Sequence, residues 1–126
     1  DIVGARVVVD YLGQVYELRD LIQQRREWHV VRPIEDRIEV SEETGYRSSH
    51  IMVMLNTTNF QSKLAEIQLR TMLEDAWATK THELTYKKAA KDIPEDSLIL
   101  IRKLSDSLHG DDHMFEEIKK QIEQRG

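Results

Sequence analysis

LAEIQLRTMLEDAWATKTHELTYK, residues Leu64 to Lys87, decides the fold. Its first part alternates. Leu64, Glu66, Gln68 and Arg70 point one way along an extended chain, and Ala65, Ile67 and Leu69 point the other. That is a strand with one apolar face and one face bearing an acid, an amide and a base. The period then changes. Leu73, Ala76, Trp77, Lys80 and Leu84 recur at helical spacing as a packing seam, and Thr71, Asp75, Ala78, His82 and Tyr86 form a second stripe on another face. A polar strand face running straight into a helix with a polar stripe brings functional groups together from two rigid elements. Taken singly, Glu66, Gln68, Asp75 and His82 also fit the solvated faces of an ordinary sheet and an amphipathic helix.

Working outward, Tyr46 to Leu55 (YRSSHIMVML) reads as a strand with His50, Met52 and Met54 on one face. Asn56 to Asn59 (NTTN) is a turn, and Phe60 to Arg70 returns antiparallel, placing His50 near Glu66. Asp1 to Asp10 (DIVGARVVVD) is a strand expected to be buried on both faces, with Gly4 marking a close approach by another backbone or a ligand. Gly13 to Trp28 is a helix with a stripe of Val15, Leu18, Leu21 and Ile22. It serves as a crossover that returns the chain beside the first strand in split βαβ fashion. His29 to Val40 is a short strand followed by a loop, limited by Pro33, and Ser41 to Gly45 is a glycine-bearing loop.

Downstream, Pro94 suits the first turn of a helix, and Leu98, Ile101, Leu104 and Leu108 give it an apolar stripe. Gly110 is a fitting stop. Asp111 or Asp112 would cap a last helix with Phe115, Ile118 and Ile122 on its apolar face. His109 and His113 stand at metal-ligand spacing, but the Gly110 break and the lack of a nearby third ligand count against a site. The expected fold is α/β (α+β): a mixed, largely antiparallel sheet flanked by helices. It forms one domain over 1–126, with a core at 1–92 and C-terminal helices at 93–126 for packing or oligomerisation.

Composition sets the class. The chain has 126 residues, 40% hydrophobic and 33% charged, with a net charge of −5. That is an ordinary globular composition, and the acidic balance disfavours a long nucleic-acid partner. No apolar run has the length of a membrane span, and no secretory pattern opens the sequence. With no cysteine, disulfides, thiolate metal sites and cysteine nucleophiles are excluded. A cytoplasmic setting is the expectation.

Five motifs in order carry a resemblance: DIVGAR at 1–6, GYRSSH at 45–50, EIQLRT at 66–71, DAWA at 75–78 and HELTYK at 82–87. Together they resemble the RelA/SpoT synthetase family, whose nucleotidyltransferase-like members move pyrophosphate from ATP to the ribose 3′-OH of GDP or GTP. The product, (p)ppGpp, is the alarmone of the stringent response. The resemblance implies that Asp1 binds Mg²⁺, that Arg6 stacks on the adenine of ATP, and that Tyr46 stacks on the acceptor base. His50 carries over with Tyr46. Pyrophosphoryl transfer is mostly a problem of positioning and charge. Asp1 and Glu66, on strands expected to be neighbours, are the carboxylates placed to hold the hard cation, and Glu66 can also take the acceptor proton. His50, Gln68 and Asp75 would bond the acceptor, and Arg70 its phosphates. Small members of the family assemble through terminal helices, which implies a homo-oligomer here.

Two departures keep alternatives open. Where the family shows a proline-lysine pair, this chain has Val40-Ser41-Glu42-Glu43-Thr44, whose acids would repel a polyphosphate. The family's basic, serine-bearing donor segment precedes the first strand, so the chain reads as a piece lacking it. A toxin-like relative acting on adenine nucleotides or tRNA 3′ ends, or a non-catalytic nucleotide-binding or assembly module, would share these motifs.

Overall fold

The computed structural model describes residues 2–55 and 63–125. The elements are β1 (Ile2–Val9), α1 (Leu12–Gln24), β2 (Trp28–Val30), β3 (Glu35–Asp36), β4 (Ser49–Leu55), β5 (Lys63–Thr71), α2 (Met72–Thr85), a single 3₁₀ turn at Ala90–Asp92, and α3 (Glu95–Glu123). One sheet runs in the order β1-β5-β4-β2, with β3 also paired to β4. β1 and β5 are parallel, and every other pairing is antiparallel. This is the expected mixed, largely antiparallel sheet. The NTTN turn lies outside the described residues.

The alternation in β5 sets the two faces. Ala65, Ile67 and Leu69 point into the core with Ile51 and Val53 of β4, and α1 covers them with Leu12, Val15 and Ile22. Burying a side chain of this kind contributes about 1.5–3 kcal/mol. The opposite face carries Glu66, Gln68 and Arg70. The register pairs Gln68 with His50, and Glu66 with Met52, so His50 and Met52 share that face as expected.

Several expectations are corrected. β1 is an edge strand, so it is not buried on both faces, and Val3, Val7 and Val8 are exposed. A Cβ at Gly4 would meet nothing within 4 Å, so no close approach constrains it among the described residues. The strand after α1 does not return beside β1. β2 joins the far side of the sheet, with β5 and β4 between them. Leu21 lies outside the α1 stripe and is exposed. On α2, Ala76, Lys80 and Leu84 are exposed, and Glu74 and Trp77 are buried. The helix is held at its N-terminus and by one large aromatic rather than along a long apolar seam.

The C-terminal segment departs most. It is one helix of 29 residues that passes through Gly110. A helical glycine costs about 1 kcal/mol relative to alanine, and tertiary bonds on both sides outweigh that. Asp112 caps nothing. It accepts a hydrogen bond from Thr71 Oγ1 at 2.7 Å. The face of α3 turned to the body is largely polar. Ser105 Oγ donates to the Gly45 carbonyl, Arg47 bonds Ser105 Oγ and Asp106, and Glu116 accepts from the Gly13 amide. Phe115, Ile118 and Ile122, read as a packing face, are exposed instead. Gly45 requires its residue type: its φ is +100°, and a Cβ there would come within 3.0 Å of Trp77.

Candidate active site

Every described residue singled out for a site stands on or beside the polar face of the sheet. Arg6 pairs in register with Gln68 across β1 and β5, and Gly4 with Glu66. The open space at Gly4 therefore lies next to the Glu66 carboxylate. Asp1 lies outside the described residues.

The other groups form a continuous polar chain. Arg70 donates from Nε to Asp75 Oδ1 at 2.9 Å, and its Nη2 lies 2.8 Å from the same oxygen. Arg70 Nη1 reaches the Tyr46 hydroxyl at 3.5 Å. That hydroxyl lies 3.2 Å from His50 Nε2, and His50 Nδ1 lies 3.6 Å from Glu66 Oε1. Gln68 Nε2 donates to Glu66 Oε1 at 2.9 Å. Asp75, Arg70, Tyr46, His50, Glu66 and Gln68 are thus linked in sequence from the start of α2 to the centre of β5.

The turn from β5 into α2 explains why Asp75 meets Arg70. Thr71 is the N-cap, accepting from the Glu74 amide at 3.1 Å. Glu74 Oε1 accepts from the Thr71 amide at 2.8 Å, completing a capping box. This reciprocal pair fixes the exit angle of the helix, and Asp75 in its first turn falls beside the guanidinium. Arg70 is nearly fully buried, so Asp75 orients its planar donor fork and neutralises its charge. Burial pushes the Glu74 carboxyl up to about 7, reinforced by the Asp112 charge and opposed by the Thr71 amide. Burial likewise raises Asp112.

A cavity of about 720 Å³ opens over this face. Arg6, Gln68, Arg70 and Tyr46 line it from the sheet side, and Trp77, Ala78, Thr81, His82 and Thr85 from α2. Its volume suits a nucleotide-sized ligand. Glu42 and Thr44 of the acidic loop also line it, so that loop is part of the wall. The sequence reading placed Ala78 and His82 on a polar stripe but missed Thr81 and Thr85. Those two stand three residues after Ala78 and His82 on the same face, which the helical period makes visible. It also missed the capping box, although Thr71-x-x-Glu74 is its signature.

A family model described as the region found in RelA / SpoT proteins matches residues 1–91, and the chain belongs to that family. It is 29% identical over 126 residues to GTP pyrophosphokinase YwaC of Bacillus subtilis, and 30% identical over 127 residues to GTP pyrophosphokinase YjbM of the same organism. Each comparison covers 98% of this chain and 59% of the relative. The chain therefore spans less than two thirds of the length of either. Among solved structures, small alarmone synthetase 1 of B. subtilis bound to its product pppGpp superposes with a TM-score of 0.84 at 28% identity, covering 93% of this chain and 61% of that one. A GTP pyrophosphokinase family protein from Streptococcus pneumoniae gives 0.82 at 29% identity, over 95% and 64%.

Proposed function

We propose that this chain carries the transfer site of a GTP pyrophosphokinase, which moves the β,γ-pyrophosphate of ATP to the ribose 3′-OH of GDP or GTP. The observation that carries the reading is the linked series from Asp75 to Gln68 beneath a nucleotide-sized cavity, with Arg6 on the neighbouring strand. The names of the relatives and the pppGpp-bound structure support it. In the step, the 3′ oxygen bonds to the β-phosphorus as the α–β bridging bond breaks. AMP leaves with the electron pair, and the hydroxyl proton passes to a base. Glu66 is that base, its Oε1 steadied by Gln68. Tyr46 receives the acceptor base on its ring, with His50, Gln68 and Asp75 around the acceptor. Arg70, aligned by Asp75, and Arg6 face the phosphates and the adenine.

Mg²⁺ fits the donor set. Glu66 offers a part-exposed carboxylate beside open space, and Mg²⁺ is commonly held by one or two carboxylates plus substrate phosphates. Asp1 would be the second. When bound, the cation neutralises phosphate charge during transfer. Residues 1–92 form the catalytic core in this reading. Residues 93–126 brace it and, through the outward Phe115, Ile118 and Ile122, offer a surface to a second copy.

A transfer assay tests the proposal. The full-length protein, Mg²⁺ and ATP labelled in the β-phosphate are incubated separately with GDP, GTP, ADP, ATP and bulk tRNA. Label should move to GDP or GTP. Movement to an adenine nucleotide or to tRNA would select the toxin-like alternative, which the Glu42 wall of the cavity favours. Folded protein that transfers to no acceptor would leave a binding module.

A further inference from the structure

Between the loop after β3 and α3, two histidines and a glutamate converge. His109 Nε2 and His113 Nε2 each lie 3.0 Å from Glu39 Oε2. The candidate ligand atoms of the three residues all lie within 4.8 Å of one another. The two objections raised by the sequence both fall. α3 runs unbroken through Gly110, so the histidines stand one turn apart on one face, and a third ligand arrives from 70 residues away. Their rings meet edge-on with centroids 4.6 Å apart, and both Nε2 atoms reach the same Glu39 oxygen.

We propose that Glu39, His109 and His113 form a binding site for a divalent transition metal of the Zn²⁺ class. Two imidazole nitrogens and one carboxylate oxygen are the donors such ions select, whereas Mg²⁺ and Ca²⁺ prefer all-oxygen sets. Tetrahedral Zn²⁺ ligands at about 2.0–2.1 Å from the ion sit roughly 3.4 Å apart. The 3.0 Å spacings here need only a small opening to admit the ion. The carboxylate is already oriented, because Tyr16 donates its hydroxyl to Glu39 Oε1 at 2.9 Å and leaves Oε2 to the histidines. Such an outer contact aligns a ligand before metal arrives. His109 Nδ1 is buried with no hydrogen-bond partner among the described residues.

Glu39 and His113 are half exposed, so ions can enter and water can fill the fourth position. The site joins α1, the loop after β3 and α3. A bound ion would clip α3 to the segment that leads through Glu42 and Thr44 into the cleft. This site shares no residue with the Mg²⁺ position proposed at Glu66.

The test uses untagged protein cleared of metal with chelator. Zn²⁺ is titrated by calorimetry, and Co²⁺ by the visible absorption of its four-coordinate complexes. Wild type, His113→Gln, Glu39→Gln and His50→Gln are compared, with thermal unfolding of each in chelator to verify folding. One equivalent of Zn²⁺ should bind and raise the midpoint of wild type and of His50→Gln, where Mg²⁺ does not. His113→Gln and Glu39→Gln should each weaken binding by about tenfold or more. Zn²⁺ binding of equal strength in His113→Gln and wild type would overturn the proposal, as would binding abolished by His50→Gln alone.

Discussion

At the scale of single residues, Tyr46 separates two contributions. Its hydroxyl joins the polar chain between Arg70 and His50, and in the proposed site its ring would receive the acceptor base. Stacking of a base on an aromatic ring is worth about 1–3 kcal/mol. Tyr46→Phe keeps the ring and should retain the acceptor KM within a few-fold. Tyr46→Ala should raise it by roughly 10- to 100-fold. Steady-state kinetics with varied GDP and GTP distinguish these, and equal losses in both variants would place the contribution in the hydroxyl. The site residues on β5 and β4 were legible because strand alternation is local: once Leu64 to Arg70 is extended, Glu66, Gln68 and Arg70 must share a face. The pairing of Arg70 with Asp75 was not legible, because it depends on the angle at which Thr71 and Glu74 turn the chain.

At the scale of elements, the junction of β5, α2 and α3 carries a pH dependence. Glu74 is raised to about 7 in the fold by burial, and Asp112 is raised as well. The native state therefore binds the Glu74 proton more tightly than the unfolded chain does. The stability this supplies is complete below the unfolded value of 4.5 and is lost as pH rises through about 7. Glu74→Gln keeps an acceptor for the Thr71 amide and cannot ionise. Its stability relative to wild type should rise between about pH 4 and about pH 7.5, by at most about 3 kcal/mol. Urea unfolding of both proteins across that range measures the difference, and parallel curves would contradict it. Other features of these elements lay beyond a sequence reading. The continuity of α3 was hidden because Gly110 is a common stop signal and the bonds that override it come from distant Thr71, Gly45 and Arg47. The valines of β1 signalled burial, but a strand at the edge of a sheet is covered less than its composition suggests.

At the scale of the whole molecule, the sheet is covered on one face by α1, and the other is left open as the cleft. α3 braces the far end through polar bonds while Leu104, Phe115, Ile118 and Ile122 face outward. The stripe read in its first half is partly turned to the body, with Leu98, Ile101 and Leu108 part-buried, whereas Phe115, Ile118 and Ile122 of its second half are exposed. If they meet a second copy, Phe115→Glu combined with Ile118→Glu should shift sedimentation from an oligomer to a monomer without loss of helical content. An unchanged sedimentation coefficient would remove α3 from the interface.

The central claim is that the polar face of β5 performs the transfer with Glu66 as its base. The direct measurement is single-turnover transfer from labelled ATP to GDP by wild type and Glu66→Gln, with circular dichroism and unfolding midpoint recorded for both. The substitution keeps the shape and the position beside Gln68 while removing the charge. Transfer should fall by roughly 10²- to 10⁴-fold with the fold unchanged. A Glu66→Gln protein that transfers pyrophosphate at near the wild-type rate would contradict the account.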